Sequence, residues 1–91
     1  MHQNYPNPFV ANKISTTLTF DLPIQDNVKV VVYNLLGEQV RTLISGSREA
    51  GAYKITWDGR DDRNMIVAAG IYIYQLKTSQ TTCTKKMLIL N

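Results

Sequence analysis

The chain has 91 residues, of which 44% are hydrophobic and 19% charged, and ten basic against seven acidic residues leave a net charge of +3. A chain of this size makes one domain with one modest core and buries about 60–65% of the surface its unfolded form exposes, so a deep cleft between two lobes is excluded. The basic residues are dispersed, with only Lys85 and Lys86 adjacent, which argues against nucleic-acid binding, and no apolar run approaches the roughly 18–20 residues of a membrane span.

From the N-terminus, residues 1–13 read as an extended leader or linker. Pro6 and Pro8 remove backbone donors and hold their predecessors extended. The stretch MHQNYPNPF lacks the charged and apolar regions of a signal peptide, so any export address is expected elsewhere. Such a segment is the kind that joins a module to an upstream domain in the same protein. Residues 14–91 read as one β-sandwich. Ile14, Thr16, Leu18, Phe20 and Leu22 alternate onto one face of a first strand, which Pro23 ends. Val28 to Tyr33 form a second, with Val28, Val30 and Val32 on one face. The turn Asn34–Gly37 leads into a third strand, Glu38 to Ile44, making a hairpin. Ser45 to Gly51 is polar and reads as a loop. Ala52 to Trp57 alternates, with Tyr53, Ile55 and Trp57 on one side. Gly70 to Thr78 places Tyr72, Tyr74 and Leu76 on one face, and Thr82 to Leu90 is the last strand.

No stretch shows a helical period. Six strands, with room for a short seventh near Val67, predict an all-β fold, an antiparallel β-sandwich. The tyrosine spacing sharpens this to an immunoglobulin-like antiparallel β-sandwich, in which a tyrosine near the start of a late strand sits two residues before an inward position. That pattern makes Tyr72 a tyrosine corner and places Tyr74, Trp57 and Val32 in the core.

The stretch DGRDDRN, Asp58 to Asn64, is the chain's densest cluster of carboxylates. A calcium loop of the EF-hand type wants oxygen ligands at alternate positions, a glycine and a distant glutamate. Here Arg60 falls on a ligand position, Arg63 on the glycine position, and no glutamate follows. Paired carboxylates do acid–base chemistry when their surroundings separate their pKa values, and a loop of aspartates beside arginines offers no such setting. The sole histidine, His2, lies in the leader. The sole cysteine, Cys83, can form no internal disulfide and reads as a small strand residue. No phosphate loop, zinc spacing or nucleophile elbow is present. The expected protein is therefore not an enzyme and has no cofactor and no metal. DGRDDRN reads as a turn, its Asp and Asn side chains bonding nearby backbone. Tyr5 and Tyr33 leave a sugar-stacking surface open as an alternative, because the other aromatic residues alternate as inward ones.

WDGRDD, then VAAGIYIYQL, then TKKMLILN resembles the type A C-terminal sorting domain of cargo proteins of the bacterial type IX secretion system. The same pattern is similar to the related immunoglobulin-like domain of the flagellar hook-capping protein. QNYPNPF, VYNLLGEQVRTL and AGAYKITWDGRD also resemble that family, so the likeness runs from Gln3 to Leu90. The chain departs in lacking the second Asn-Pro of the family leader and in carrying Arg63-Asn64-Met65-Ile66 where the family often has Gly-Arg-Pro. The resemblance implies an immunoglobulin-like sandwich and a structural role for DGRDD. It also implies an address function: the domain ends an exported protein and is read by outer-membrane secretion machinery. In many cargoes a surface peptidase then removes the domain. The protein would cross the periplasm and reach the cell surface or medium. The partner-binding residues implied are Lys85, Lys86, Met87, Leu88, Ile89 and Leu90, with Asn91 as the C-terminal residue. The last strand is expected to accept a partner strand along its edge. The alternative functions are a structural spacer or capping domain and a carbohydrate-binding accessory module.

Overall fold

The computed structural model describes residues 1–11 and 13–90. Asn12, within the predicted leader, and Asn91, the predicted C-terminal residue, lie outside the described residues. Among the described residues seven strands follow one another: β1 (Phe9–Val10), β2 (Thr16–Leu22), β3 (Asp26–Tyr33), β4 (Gln39–Arg48), β5 (Gly51–Trp57), β6 (Gly70–Lys77) and β7 (Thr82–Leu90). They form a five-stranded sheet in the order β1-β7-β6-β3-β4 and a two-stranded sheet of β2 and β5. The pairs are antiparallel except β1 with β7, which run parallel. The predicted immunoglobulin-like sandwich is present.

Alternation builds the core. Leu18, Phe20 and Leu22 of β2, Val28, Val30 and Val32 of β3, Tyr72, Tyr74 and Leu76 of β6, and Met87 and Ile89 of β7 are buried between the sheets. Each such side chain, fully buried, contributes roughly 1.5–3 kcal/mol. Trp57 packs edge-on against Phe9 at 5.8 Å and against Tyr72 at 6.1 Å, an arrangement that aligns ring edges with ring faces. The Tyr72 hydroxyl donates to the Ala68 carbonyl at 2.7 Å, so the tyrosine corner is formed as its spacing implies. Val31 is buried on the opposite face of the same sheet.

The N-terminal segment differs from its sequence reading. It is extended, as its prolines require, but it belongs to the sandwich. His2 N–H donates to Thr19 O, and Tyr5 and Thr17 exchange both backbone bonds, so residues 2–5 line β2. After Pro8 the chain switches sheets, pairing Phe9 with Ile89 and Val10 with Leu90. Phe9 is fully buried. Between the two pairings sits a buried polar cluster. Asn4 N–H donates to the Tyr74 hydroxyl at 2.8 Å, Asn4 Nδ2 donates to Thr16 Oγ1 at 2.9 Å, and Thr16 Oγ1 donates to Pro6 O at 2.8 Å. Every buried polar side-chain atom among the described residues has a partner, which is the condition for such a cluster to be stable.

Other differences are local. Ile14, expected inward at the start of the first strand, is 48% exposed, because β2 begins only at Thr16. The seventh strand is Phe9–Val10 and not a segment near Val67, where a single bridge joins Arg60 and Ile66. The loop expected over 45–51 is largely strand. β4 continues to Arg48, and only Glu49 and Ala50 separate it from β5 in the other sheet. Ser45, Gly46 and Ser47 are tolerated there because β4 is an edge strand with exposed residues. Tyr53 and Ile55 are half-buried, since β5 is the outermost strand of the small sheet.

Two variants test this packing. A Cβ at Gly59 would lie 2.7 Å from the Ala11 Cβ and 3.1 Å from its Cα, and φ there is +81°. Gly59→Ala should therefore cost about 2–4 kcal/mol, measured by urea denaturation. Burial raises the Tyr74 pKa, opposed by the hydrogen bond from Asn4. A tyrosine with a raised pKa keeps its proton in the folded state after the unfolded chain has lost it. Its stabilisation is thus full below the ordinary value of 10.0 and falls as pH rises past it. Tyr74→Phe should flatten that alkaline loss between the pH 8 and pH 11 denaturation curves. At neutral pH it should cost about 1–3 kcal/mol, because the buried Asn4 N–H loses its acceptor.

Candidate recognition surface

Strand alternation divides the six predicted partner-binding residues. Met87 and Ile89 point inward and are buried. Lys85 is half-buried, opposite Tyr74 in the ladder. Lys86, Leu88 and Leu90 are exposed on the outer face of the large sheet. Across the ladder, Leu88 faces Ile71 and Lys86 faces Ile73. Ile71, Leu88 and Leu90 keep 45%, 38% and 43% of their surface in solvent. They form an apolar patch with one ammonium group at its border. A shallow depression of about 220 Å³ lies in it, lined by Asn7, Ile71, Lys86, Met87 and Leu88.

The backbone edge of β7 behaves differently from the expectation of an open strand. Gln3 Nε2 donates to Lys86 O at 2.8 Å, Leu88 N–H donates to Asn7 Oδ1 at 2.9 Å, and Ala11 N–H donates to Leu90 O at 3.2 Å. The N-terminal segment therefore covers β7 from Lys86 to Leu90. A partner strand would have to displace it, whereas side chains on the outer face are accessible as they stand.

DGRDDRN proves to be a scaffold for the sheet's other edge. The Trp57 indole N–H donates to Arg60 O at 2.8 Å. Asp58 Oδ1 accepts from Arg60 N–H, and Asp61 Oδ1 accepts from the N–H groups of Arg63 and Met65. Arg60 Nη1 donates to Asn64 O, and Asn64 takes a left-handed φ of 65°, a conformation that asparagine tolerates. Asp62 then reaches β4: its N–H donates to Val40 O at 3.0 Å, and its Oδ1 accepts from Thr42 N–H at 3.1 Å. Arg41 ties the same place, donating to Asp61 O at 3.1 Å and lying 3.9 Å from Asp62 Oδ1. One residue thus satisfies edge groups of β4 as a neighbouring strand would. Among the described residues no group of three His, Cys, Asp or Glu is placed to hold a metal ion.

The aromatic side chains are similarly dispersed. Tyr5 is 79% exposed beside β2, while Tyr33 is half-buried on β3 in the other sheet, so the two do not share a platform. Burial raises the pKa of Tyr72, whose hydroxyl is committed to the corner bond. Cys83 is half-buried opposite Leu76. No described helix is long and apolar enough to cross a membrane.

What sequence reasoning missed is the role of the N-terminal segment. The available signal was Phe9–Val10, an apolar pair directly after Pro8, preceded by Asn4 and Asn7, side chains able to bond another strand's backbone.

The two unequal sheets, the tyrosine corner and the N-terminal strand shared between sheets define an immunoglobulin-like β-sandwich module. Residues 10–82 match the model of the FlgD Ig-like domain, and the chain belongs to that family. It is similar to FlgD from P. aeruginosa, with a TM-score of 0.64 and 28% identity over 87% of this chain and 64% of that one. It shares its fold with PorZ, an essential bacterial surface component of the type IX secretion system of Porphyromonas gingivalis. The TM-score there is 0.63, with 15% identity over 98% of this chain and 11% of that one. Dimeric latent PorU from the same organism gives 0.71, with 21% identity over 97% and 9%. The chain spans less than two thirds of each of these proteins. No curated protein sequence matches it.

Replacing Asp62 by alanine removes the acceptor for Thr42 N–H. It should cost about 0.5–1.5 kcal/mol. The distinguishing result would be faster hydrogen exchange at the Thr42 amide, with the β6–β7 amides unchanged.

Proposed function

We propose that this domain is a non-catalytic recognition module that directs an exported bacterial protein through the type IX secretion system. The observation that carries the reading is the outer face of β7, where Lys86, Leu88 and Leu90 stand exposed beside Ile71. A partner that reads this face meets an apolar patch bordered by a positive charge, in a register held by the core residues Met87 and Ile89. The reading is supported by the resemblance of TKKMLILN and its companion motifs to sorting domains, and by the shared fold with a surface component of that system. The partners would be outer-membrane secretion machinery and a surface peptidase. The passenger would precede the domain in the same chain and pass through the periplasm to the cell surface or medium. DGRDDRN takes no part, because its carboxylates serve the β4 edge and its own turn.

A second reading is favoured by one observation. FlgD of P. aeruginosa is the neighbour with 28% identity, which supports a structural spacer or capping domain that assembles with other domains and sorts nothing.

The test is delivery of a fluorescent passenger fused ahead of the domain, in a bacterium with type IX secretion and in a strain lacking the translocon. Surface or medium signal should appear only in the competent strain. Lys86→Ala with Leu88→Asn should lower it about tenfold, as a loss of about 1.4 kcal/mol in binding would. Both changes lie on the solvent face, so the purified variant should melt as the parent does. Equal retention in both strains would favour the spacer reading.

A further inference from the structure

We infer that the free edge of β5 is a docking site for an extended polypeptide strand that carries a carboxylate opposite Lys54. The inference begins with which backbone groups are already used. Thr17 N–H and C=O and Thr19 C=O turn toward the N-terminal segment. The alternate residues of β2 therefore turn toward β5, and they meet Gly51, Tyr53, Ile55 and Trp57 in register. In an antiparallel pair the remaining residues point the other way, so the N–H and C=O groups of Ala52, Lys54 and Thr56 face outward. No other described group bonds them.

The fold treats its other edges differently. The N-terminal segment lines β2 and the end of β7. β4 is met by Asp62 and interrupted by two register shifts, a device that turns an edge away from partners. Among the described residues β5 has no such cover. It also borders incompletely buried apolar surface. Tyr53 and Ile55 are half-buried on β5 and pack against the core. An added strand would place alternate side chains beside Tyr53 and Ile55 while its backbone satisfied the outward groups, the mode by which sheet edges bind peptides.

Charge selects the occupant. Lys54 is exposed at the middle of the strand and is in no ion pair among the described residues. Full-length antiparallel pairing of β5 with a second copy would set Lys54 against Lys54, and like charges directly opposite are destabilising. A different strand with an acidic residue at that position gains the pairing instead.

The experiment uses the whole chain and two capped synthetic heptapeptides, Val-Thr-Val-Glu-Val-Thr-Val and the same peptide with Lys at its centre. Amide signals and hydrogen exchange are followed by NMR. The Glu peptide should slow exchange at Ala52, Lys54 and Thr56 about tenfold or more and bind about fivefold tighter than the Lys peptide. Lys54→Glu should reverse that preference. Thr56→Pro should abolish binding with little loss of stability, because the donor removed faces away from β2. Unchanged amides in the presence of the Glu peptide would overturn the inference, as would an indifference to the peptide's charge. Concentration-dependent protection of the same amides without peptide would assign the edge to a second copy and overturn it equally.

Discussion

The hydrogen-bonded cluster around Asn4 holds the sandwich where a single stretch of chain belongs to both sheets. Asn4 meets Tyr74 of the large sheet through its backbone and Thr16 of the small sheet through its side chain. His2 and Tyr5 on either side of it bond β2, and Phe9 and Val10 further along pair with β7. A buried polar group costs free energy unless it is fully bonded. The cluster therefore admits few alternative arrangements of the two sheets. Phe9, five residues on, adds the apolar component, packing against the ring of Trp57.

From that stitch follows the disposition of everything exposed. The N-terminal segment closes the β7 edge and leaves its outer face open. Trp57, held between Phe9 and Tyr72, starts the loop that meets the β4 edge at Val40 and Thr42. The rich acidic sequence of that loop is thus explained by geometry. Asp58 and Asp61 bond backbone within their own turn, and Asp62 bonds backbone in a neighbouring strand. The outer face of β7 presents side chains and the free edge of β5 presents main chain.

The sequence showed the strands that obey alternation and hid those that do not. β6 and β7 were legible because aromatic and aliphatic residues repeat every second position, and the tyrosine corner came with its spacing. Ser45 to Arg48 was hidden because an edge strand need not be apolar. Residues 2–10 were hidden for a different reason. Their pairing rests on backbone bonds and on Asn4 and Gln3 side chains, and prolines mask any period. The division of Lys85–Leu90 into buried and exposed residues follows from period two. Which edge of β7 was occupied depended on the distant N-terminus and could not be read locally.

The parallel run of the first residues beside β7 has a mechanical consequence. A force drawing the upstream chain and the end of β7 apart acts along the strands, so the bonds at Lys86, Leu88 and Leu90 are loaded together in shear. An unzipping geometry would break them one at a time at low load. Resistance to such pulling is governed by the unfolding barrier rather than by equilibrium stability. The N-terminal segment and β7 are thus interlocked along the line of tension.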